Sequence, residues 1–69
     1  EVAVPKHFES RSLGALGLHS PDYVLLAVRK HGDWVFNPGE DYVIEPGNTL
    51  VAMASPQGRQ ELEAALLPG

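Results

Sequence analysis

The chain has 69 residues, of which 43% are hydrophobic, so we expect one small domain with a thin core of its own. Nine acidic against five scattered basic residues give a formal net charge of −4, which disfavours a nucleic-acid partner. The chain has no cysteine, which excludes disulfides and thiolate metal sites, and no apolar run reaches the roughly 20 residues of a membrane span. A domain this small usually needs another support, and a partner subunit is the one that remains.

The first predicted elements are a strand and a short helix. "EVAV" is rich in valine and ends at Pro5, which is typical of a strand. "SRSLGALGL" follows, with Ser10 or Ser12 available as a helix cap. Gly14 and Gly17 each cost a helix about 1 kcal/mol relative to alanine, so we expect one or two turns.

Residues 23–30, "YVLLAVRK", form the most evident strand. Strict alternation places one set of side chains on one face, namely Tyr23, Leu25, Ala27 and Arg29. It places the rest on the other face, namely Val24, Leu26, Val28 and Lys30. Both faces are apolar until the last two residues, so we expect both to be covered. "HGD" then predicts a tight hairpin turn into the strand "WVFN".

Two proline-glycine pairs punctuate the second half. Pro38-Gly39 and Pro46-Gly47 predict turns between strands of one small sheet, with the short segment "YVIE" between them. "TLVAMA" is a further strand with two apolar faces. The segment "SPQGRQELEAALL" predicts a helix that is capped by Ser55 and has Pro56 at its first position. Its apolar stripe consists of Leu62, Ala65 and Leu66.

This order predicts an α+β fold, a small antiparallel or mixed sheet with two helices in the order β-α-β-β-β-α. Two helices can cover one face of the sheet, whereas the central strands are apolar on both. An uncovered apolar face commonly marks a protein–protein surface. We therefore expect a homodimer that forms through the sheet.

Catalytic and metal constellations are not apparent in the sequence. His7, His19 and His31 are twelve residues apart each time, whereas zinc sites usually combine a close pair of ligands with a distant one. The serines lie where caps and turns favour serine, and no G-x-S-x-G motif is present. We therefore predict a protein that is not an enzyme.

Two groups of residues remain as candidate ligands. Arg29 ends an apolar strand and Asn37 ends the strand that should pair with it, so a guanidinium and an amide could hold an anionic, planar ligand. The alternative is that Arg29 extends into solvent and Asn37 makes a turn. Asp41 and Glu45 are candidates for a hard cation, but their spacing matches no calcium loop and solvated acids are common at turns.

Nearly the whole chain resembles the TrkA C-terminal domain, also called the RCK C-terminal domain. The resemblance is carried by "EVAVP", by "SLGALGL" and above all by "AVRKHGDWVFNP" followed by "YVIEPGNTLVAM". The sequence departs from the family pattern at Asn48, where the family usually has aspartate after the glycine, and at Ala54, where glycine is frequent. The change at Asn48 removes a negative charge and weakens any cation site there, and neither change threatens the fold.

The resemblance implies that residues 1–69 are one regulatory domain cut from a longer cytosolic part of a potassium channel or transporter. A Rossmann-like lobe would precede it, and a membrane potassium pore would be its target. Some relatives bind cyclic di-AMP between two such domains and others respond to divalent cations. The matching region here nominates Arg29, Asn37 and Pro38, with His31 as an addition. The expected function is ligand sensing with dimerisation that controls gating; the alternative is a purely structural dimerisation module without a ligand.

Overall fold

The computed structural model describes residues 1–18 and 20–67. Six strands and two helices follow one another along the chain: β1 (Val2–Ala3), β2 (Arg11–Ser12), α1 (Leu13–Leu16), β3 (Tyr23–Lys30), β4 (Asp33–Phe36), β5 (Val43–Ile44), β6 (Thr49–Ala54) and α2 (Pro56–Ala65). Within the described residues, neither helix is long and apolar enough to cross a bilayer. The predicted α+β class with two helices is confirmed.

The strands form two sheets, and all their pairings are antiparallel. The larger sheet has the order β1-β6-β3-β4, and the smaller one joins β2 to β5. The prediction that both proline-glycine turns link strands of one sheet is therefore wrong. Pro38-Gly39 leads from β4 of the larger sheet to β5 of the smaller one, and Pro46-Gly47 leads from β5 back to β6 of the larger sheet. Strand β5 pairs with Arg11 and Ser12. A two-residue polar strand such as β2 exists because of its partner, so its own sequence gives no strand signal.

Turn chemistry explains the chain reversals. His31 and Gly32 both have positive φ, at 49° and 87°, as a two-residue type I′ hairpin requires, and they join β3 directly to β4. In the second proline-glycine pair, Gly47 has a φ of 86°. The backbone N–H of Asn48 donates to the backbone carbonyl oxygen of Glu45 at 3.1 Å. Proline followed by a glycine of positive φ is the pattern of a type II turn. Both segments were predicted as turns, and both predictions are confirmed.

Serine caps begin both helices. The Ala15 amide donates to Ser12 Oγ at 3.1 Å, and Gly17 ends α1 in the left-handed conformation after a single turn. The Gly58 amide donates to Ser55 Oγ, also at 3.1 Å, and Pro56 occupies the first turn of α2. The structure thus selects Ser12 from the two predicted caps of α1 and confirms the predicted start of α2.

The core lies on one side of the larger sheet. Helix α2 packs there against β1 and β6, and its buried residues Leu62 and Leu66 belong to the predicted stripe. They join Val28, Leu50 and Ile44 in a single cluster whose members are almost fully buried. We call this side of the sheet the closed face. Helix α2, the smaller sheet and loop residues such as Phe8 contribute to the core there, whereas large apolar side chains on the opposite side stay exposed.

Candidate functional site

The candidate site is the side of the larger sheet that faces away from the core, where several large apolar side chains are exposed. We call it the open face and define it by its large exposed apolar side chains. Their exposed fractions are 73% for Phe36, 68% for Met53, 62% for Val24, 44% for Trp34 and 41% for Leu26. Strand register brings them together, because Val24 pairs with Met53, and Phe36 pairs with Ala27 next to Leu26. A patch of this kind marks a contact surface.

A β-bulge between Leu25 and Ala27 decides which residues of β3 reach the open face. Strict alternation assigns Tyr23, Leu25 and Arg29 to one face, and this prediction is wrong. Tyr23 is buried and Leu25 packs against the core, whereas Arg29 pairs with Trp34 on the opposite side. The extra residue at Leu26 reverses the alternation, so Val28 enters the core instead. The bulge therefore brings the guanidinium to the open face.

The Arg29 side chain lies between an aromatic ring and a carboxylate. Its guanidinium carbon is 5.5 Å from the centre of the Trp34 ring, and that ring stacks on Phe36 at 5.8 Å with an interplanar angle of 8°. Its two terminal nitrogens reach the two oxygens of the Glu1 carboxylate, at 3.2 and 3.5 Å. The Arg29 guanidinium thus binds one carboxylate on the open face through two nitrogens. Arginine binds carboxylates and phosphates in this same bidentate geometry.

The structure separates the four residues nominated as an anion site into two groups. Arg29 and His31 lie at the β3–β4 turn, where His31 is exposed and makes the type I′ turn. Asn37 and Pro38 follow the other end of β4, about 10 Å further along if a strand rises about 3.3 Å per residue from Trp34. Asn37 also has positive φ, at 49°, and its backbone N–H donates to the backbone carbonyl oxygen of Leu26 at 2.9 Å. One molecule of the chain therefore does not gather all four around one small ligand.

Pro38 lines a cavity of about 370 Å³. Strand β4 ends at Phe36, and the chain then turns toward α1, where the Gly14 amide donates to the carbonyl oxygen of Glu40 at 2.9 Å. This departure leaves the first residues of β3 without β4 beside them. The gap is lined mainly by apolar side chains, among them Leu13, Leu18 and Leu25. Its volume is at the lower end of the range for small-molecule sites.

The acids nominated for a cation lie in ordinary surroundings. Glu45 Oε1 accepts a hydrogen bond from Lys30 Nζ at 2.9 Å, and this bond and its charge raise the pKa of the lysine. Asp41 is exposed in the turn before β5. Residues 1–18 and 20–67 contain no group of three histidine or acidic side chains that could hold a metal. His7 is exposed, and His19 lies outside the described residues.

The turn residue that departs from the family pattern has a structural task. Asn48 is 2% exposed, and its Oδ1 accepts a hydrogen bond from the Glu45 amide at 2.9 Å. Its carbonyl oxygen accepts another from the Val4 amide at 2.9 Å. The side chain thus closes the type II turn from inside. At the cavity, burial and the nearby Glu61 carboxylate raise the pKa of Tyr23, which is one of the lining residues.

Sequence reasoning missed three residues of this site: Trp34, Phe36 and Glu1. A signal for the aromatic pair was present, since "WVF" in a strand places the first and third side chains on the same face. No local signal connects Glu1 with Arg29, which are 28 positions apart. That contact depends on the order of strands in the sheet.

Comparison with protein families gives one match. The family model described as the TrkA-C domain matches residues 1–67. No curated protein matches the chain significantly. The match covers every helix and strand described above.

Proposed function

The chain belongs to the TrkA-C family, regulatory domains of potassium transport systems, and we propose that it is a cytosolic ligand-sensing and dimerisation domain that controls a potassium channel or transporter. In this proposal the domain acts by binding and has no catalytic role. Its partners are a second copy of itself and, in the parent protein, a Rossmann-like lobe and a membrane potassium pore. The observation that carries the proposal is the open face, where a large apolar surface lies beside an arginine fork.

Dimerisation is supported by the composition of that surface. Phe36, Met53 and Val24 are each more than three-fifths exposed, although they lie on the strands that form the core. Trp34 belongs to the residue types that dominate binding energy at interfaces. A two-fold axis across the open face would place the same patch on both copies, since such interfaces are self-complementary. A twin sheet would thus cover what α2 does not.

Ligand sensing is supported by Arg29 and by the position of the cavity. An anion such as cyclic di-AMP would bind the Arg29 guanidinium on the open face, and the surface of the second copy would complete its binding site. This geometry reconciles the two separated groups, because Asn37 and Pro38 of one copy and Arg29 of the other can face one ligand across a dimer axis. A divalent cation is the second candidate ligand, with Asp41 and Glu45 as its nearest acids.

The mechanism would be a shift between two dimer arrangements. A ligand changes that equilibrium only by the difference between its affinities for the two arrangements. A hundredfold difference corresponds to about 2.7 kcal/mol of coupling to the pore. A ligand between the copies touches both and so can distinguish arrangements, which a ligand buried within one copy cannot do as directly.

The decisive test of dimerisation is Phe36→Asp. Two carboxylates in a self-complementary apolar patch would be desolvated and would repel each other, so we expect the dimer dissociation constant to rise at least a hundredfold. Multi-angle light scattering and sedimentation across a concentration series measure it. The control is Val43→Ala, which shortens an exposed apolar side chain away from the open face. A strict monomer at tens of micromolar for the unmodified chain would refute the proposal.

Ligand sensing has an alternative, a structural dimerisation module that binds nothing. A thermal-shift screen with cyclic di-AMP, nucleotides and divalent cations distinguishes them, because a ligand at 100 times its Kd adds about 2.7 kcal/mol of stability. We expect a shift with a phosphorylated anion that disappears in Arg29→Ala while the dimer persists. No shift with any compound would leave the structural module as the function.

A further inference from the structure

We infer that Glu1 is an intramolecular competitor for the anion site at Arg29, so that an anion binds there by displacing the Glu1 carboxylate. This inference rests on the ligand-sensing function proposed above and adds its regulation. It follows from one contact: the carboxylate oxygens of Glu1 lie 3.2 and 3.5 Å from the two terminal nitrogens of the guanidinium. An acid from the chain itself already occupies the position that a ligand phosphate would take.

The ion pair is accessible to a ligand. The side chain of Arg29 is 37% exposed and that of Glu1 is 55% exposed, so an incoming anion meets the guanidinium without opening the core. The Trp34 ring holds the guanidinium from below at 5.5 Å, and this contact does not require Glu1. The fork therefore keeps its place when the carboxylate leaves. A bidentate acid group can then replace Glu1 with little rearrangement.

The contact links the anion site to the first strand across the sheet. Thr49 of β6 pairs with Arg29 on one side and with Ala3 on the other, so the Glu1 side chain spans the strand between them. Strand β1 has two residues, Val2 and Ala3, and its next anchor is Val4, whose amide donates to the Asn48 carbonyl oxygen. Val2 is itself buried in the core cluster and pairs with Leu50, so β1 stays in the sheet when the ion pair is lost. Displacement of the carboxylate therefore frees the Glu1 side chain alone.

The expected effect of Glu1 on anion affinity is small. Exposed ion pairs contribute little, so removal of the competitor should strengthen anion binding by about two- to fivefold rather than by orders of magnitude. The reciprocal effect of the anion on the Glu1–Arg29 ion pair has the same size, because coupling between two binding events is mutual. A small coupling of this kind tunes a sensor and does not create one.

The experiment compares Glu1→Ala with Glu9→Ala in the 69-residue chain. Both substitutions remove one acid, but the Glu9 carboxylate only approaches Arg11 at 4.0 Å. Fluorescence of Trp34, the single tryptophan, reports the guanidinium above it during titration with cyclic di-AMP and with inorganic pyrophosphate. The two probes distinguish a nucleotide ligand from any phosphate anion.

We expect Glu1→Ala to bind about two- to fivefold more tightly, and Glu9→Ala to equal the unmodified chain. Equal affinities for Glu1→Ala and the unmodified chain would overturn the inference while ligand sensing stands. If neither probe binds any variant, and Arg29→Ala behaves like the unmodified chain, both the sensing function and the inference are wrong.

Discussion

The two faces of the larger sheet are built from the same strands and have opposite fates. On the closed face, Val28 and Leu50 are fully buried under α2 and the smaller sheet. On the open face, Phe36 and Met53 keep about two thirds or more of their surface in contact with solvent. The strands are apolar on both sides, so strand composition does not distinguish the faces. The chain has enough helix to cover one apolar face of the sheet, and the other face stays in contact with solvent.

The largest expected effect is on the closed face, at Leu62→Ala. Leu62 is 1% exposed in the centre of the core cluster, and its truncation leaves a cavity that a 69-residue chain has few means to refill. We expect a loss of about 3 kcal/mol in the free energy of unfolding. Urea denaturation at a concentration where the chain is monomeric measures it. A loss below about 1 kcal/mol would show that the closed face does not hold the fold.

The next effect concerns how closely α2 approaches the sheet. A Cβ at Gly58 would overlap the carbonyl oxygen of Asp22, which also accepts a hydrogen bond from the Ser55 amide at 2.9 Å. Gly58→Ala should therefore cost about 2 kcal/mol, despite the better helix propensity of alanine.

The matched control for Gly58→Ala is Gly39→Ala, where an added Cβ meets no atom within 4 Å. We expect Gly39→Ala to change stability by less than about 0.5 kcal/mol. Thermal denaturation of the two variants side by side measures the difference. If Gly58→Ala were the more stable of the two, α2 would not lie as close to the start of β3 as described here.

The smallest effect on the isolated subunit is expected on the open face. Met53→Ala removes an apolar side chain of similar size to leucine, yet two thirds of its surface is exposed, so monomer stability should change by less than about 0.5 kcal/mol. The same substitution should weaken dimerisation, measured by sedimentation. This split, a neutral change within the subunit and a loss between subunits, would confirm the contrast between the faces most directly. A loss of about 2 kcal/mol in the free energy of unfolding of the monomer would contradict the contrast between the two faces.

Local signals predicted most of the secondary structure. The cap at Ser55 with Pro56 marks the start of α2, and Gly17 limits α1 to one turn, because these residues act on their immediate neighbours. The hairpin at His31-Gly32 and the turn at Pro46-Gly47 follow from residues that tolerate or impose special φ values. In contrast, β2 and the bulge at Leu26 were missed, since each is defined by a strand from a distant part of the chain.

The candidate site was predicted in part for the same reason. Arg29 was nominated from its place at the end of a strand, and the structure gives it an acid partner and an aromatic ring. Its contact with Glu1 depends on the order β1-β6-β3, which local pattern does not determine. The nominated ligand roles of His31, Asn37 and Pro38 stay predictions, and so do those of Asp41 and Glu45.

The amino-acid sequence by itself determined the family, the turns, the helix caps and the excess of apolar strand surface over helix, because these depend on residue type and short spacing. The tertiary structure alone decided which apolar face is closed, since one extra residue in β3 reverses every side chain after it. It also decided that the acid facing Arg29 comes from the first residue of the chain. Strand pairing makes such neighbours across long sequence separations, and no local energy term selects them in advance.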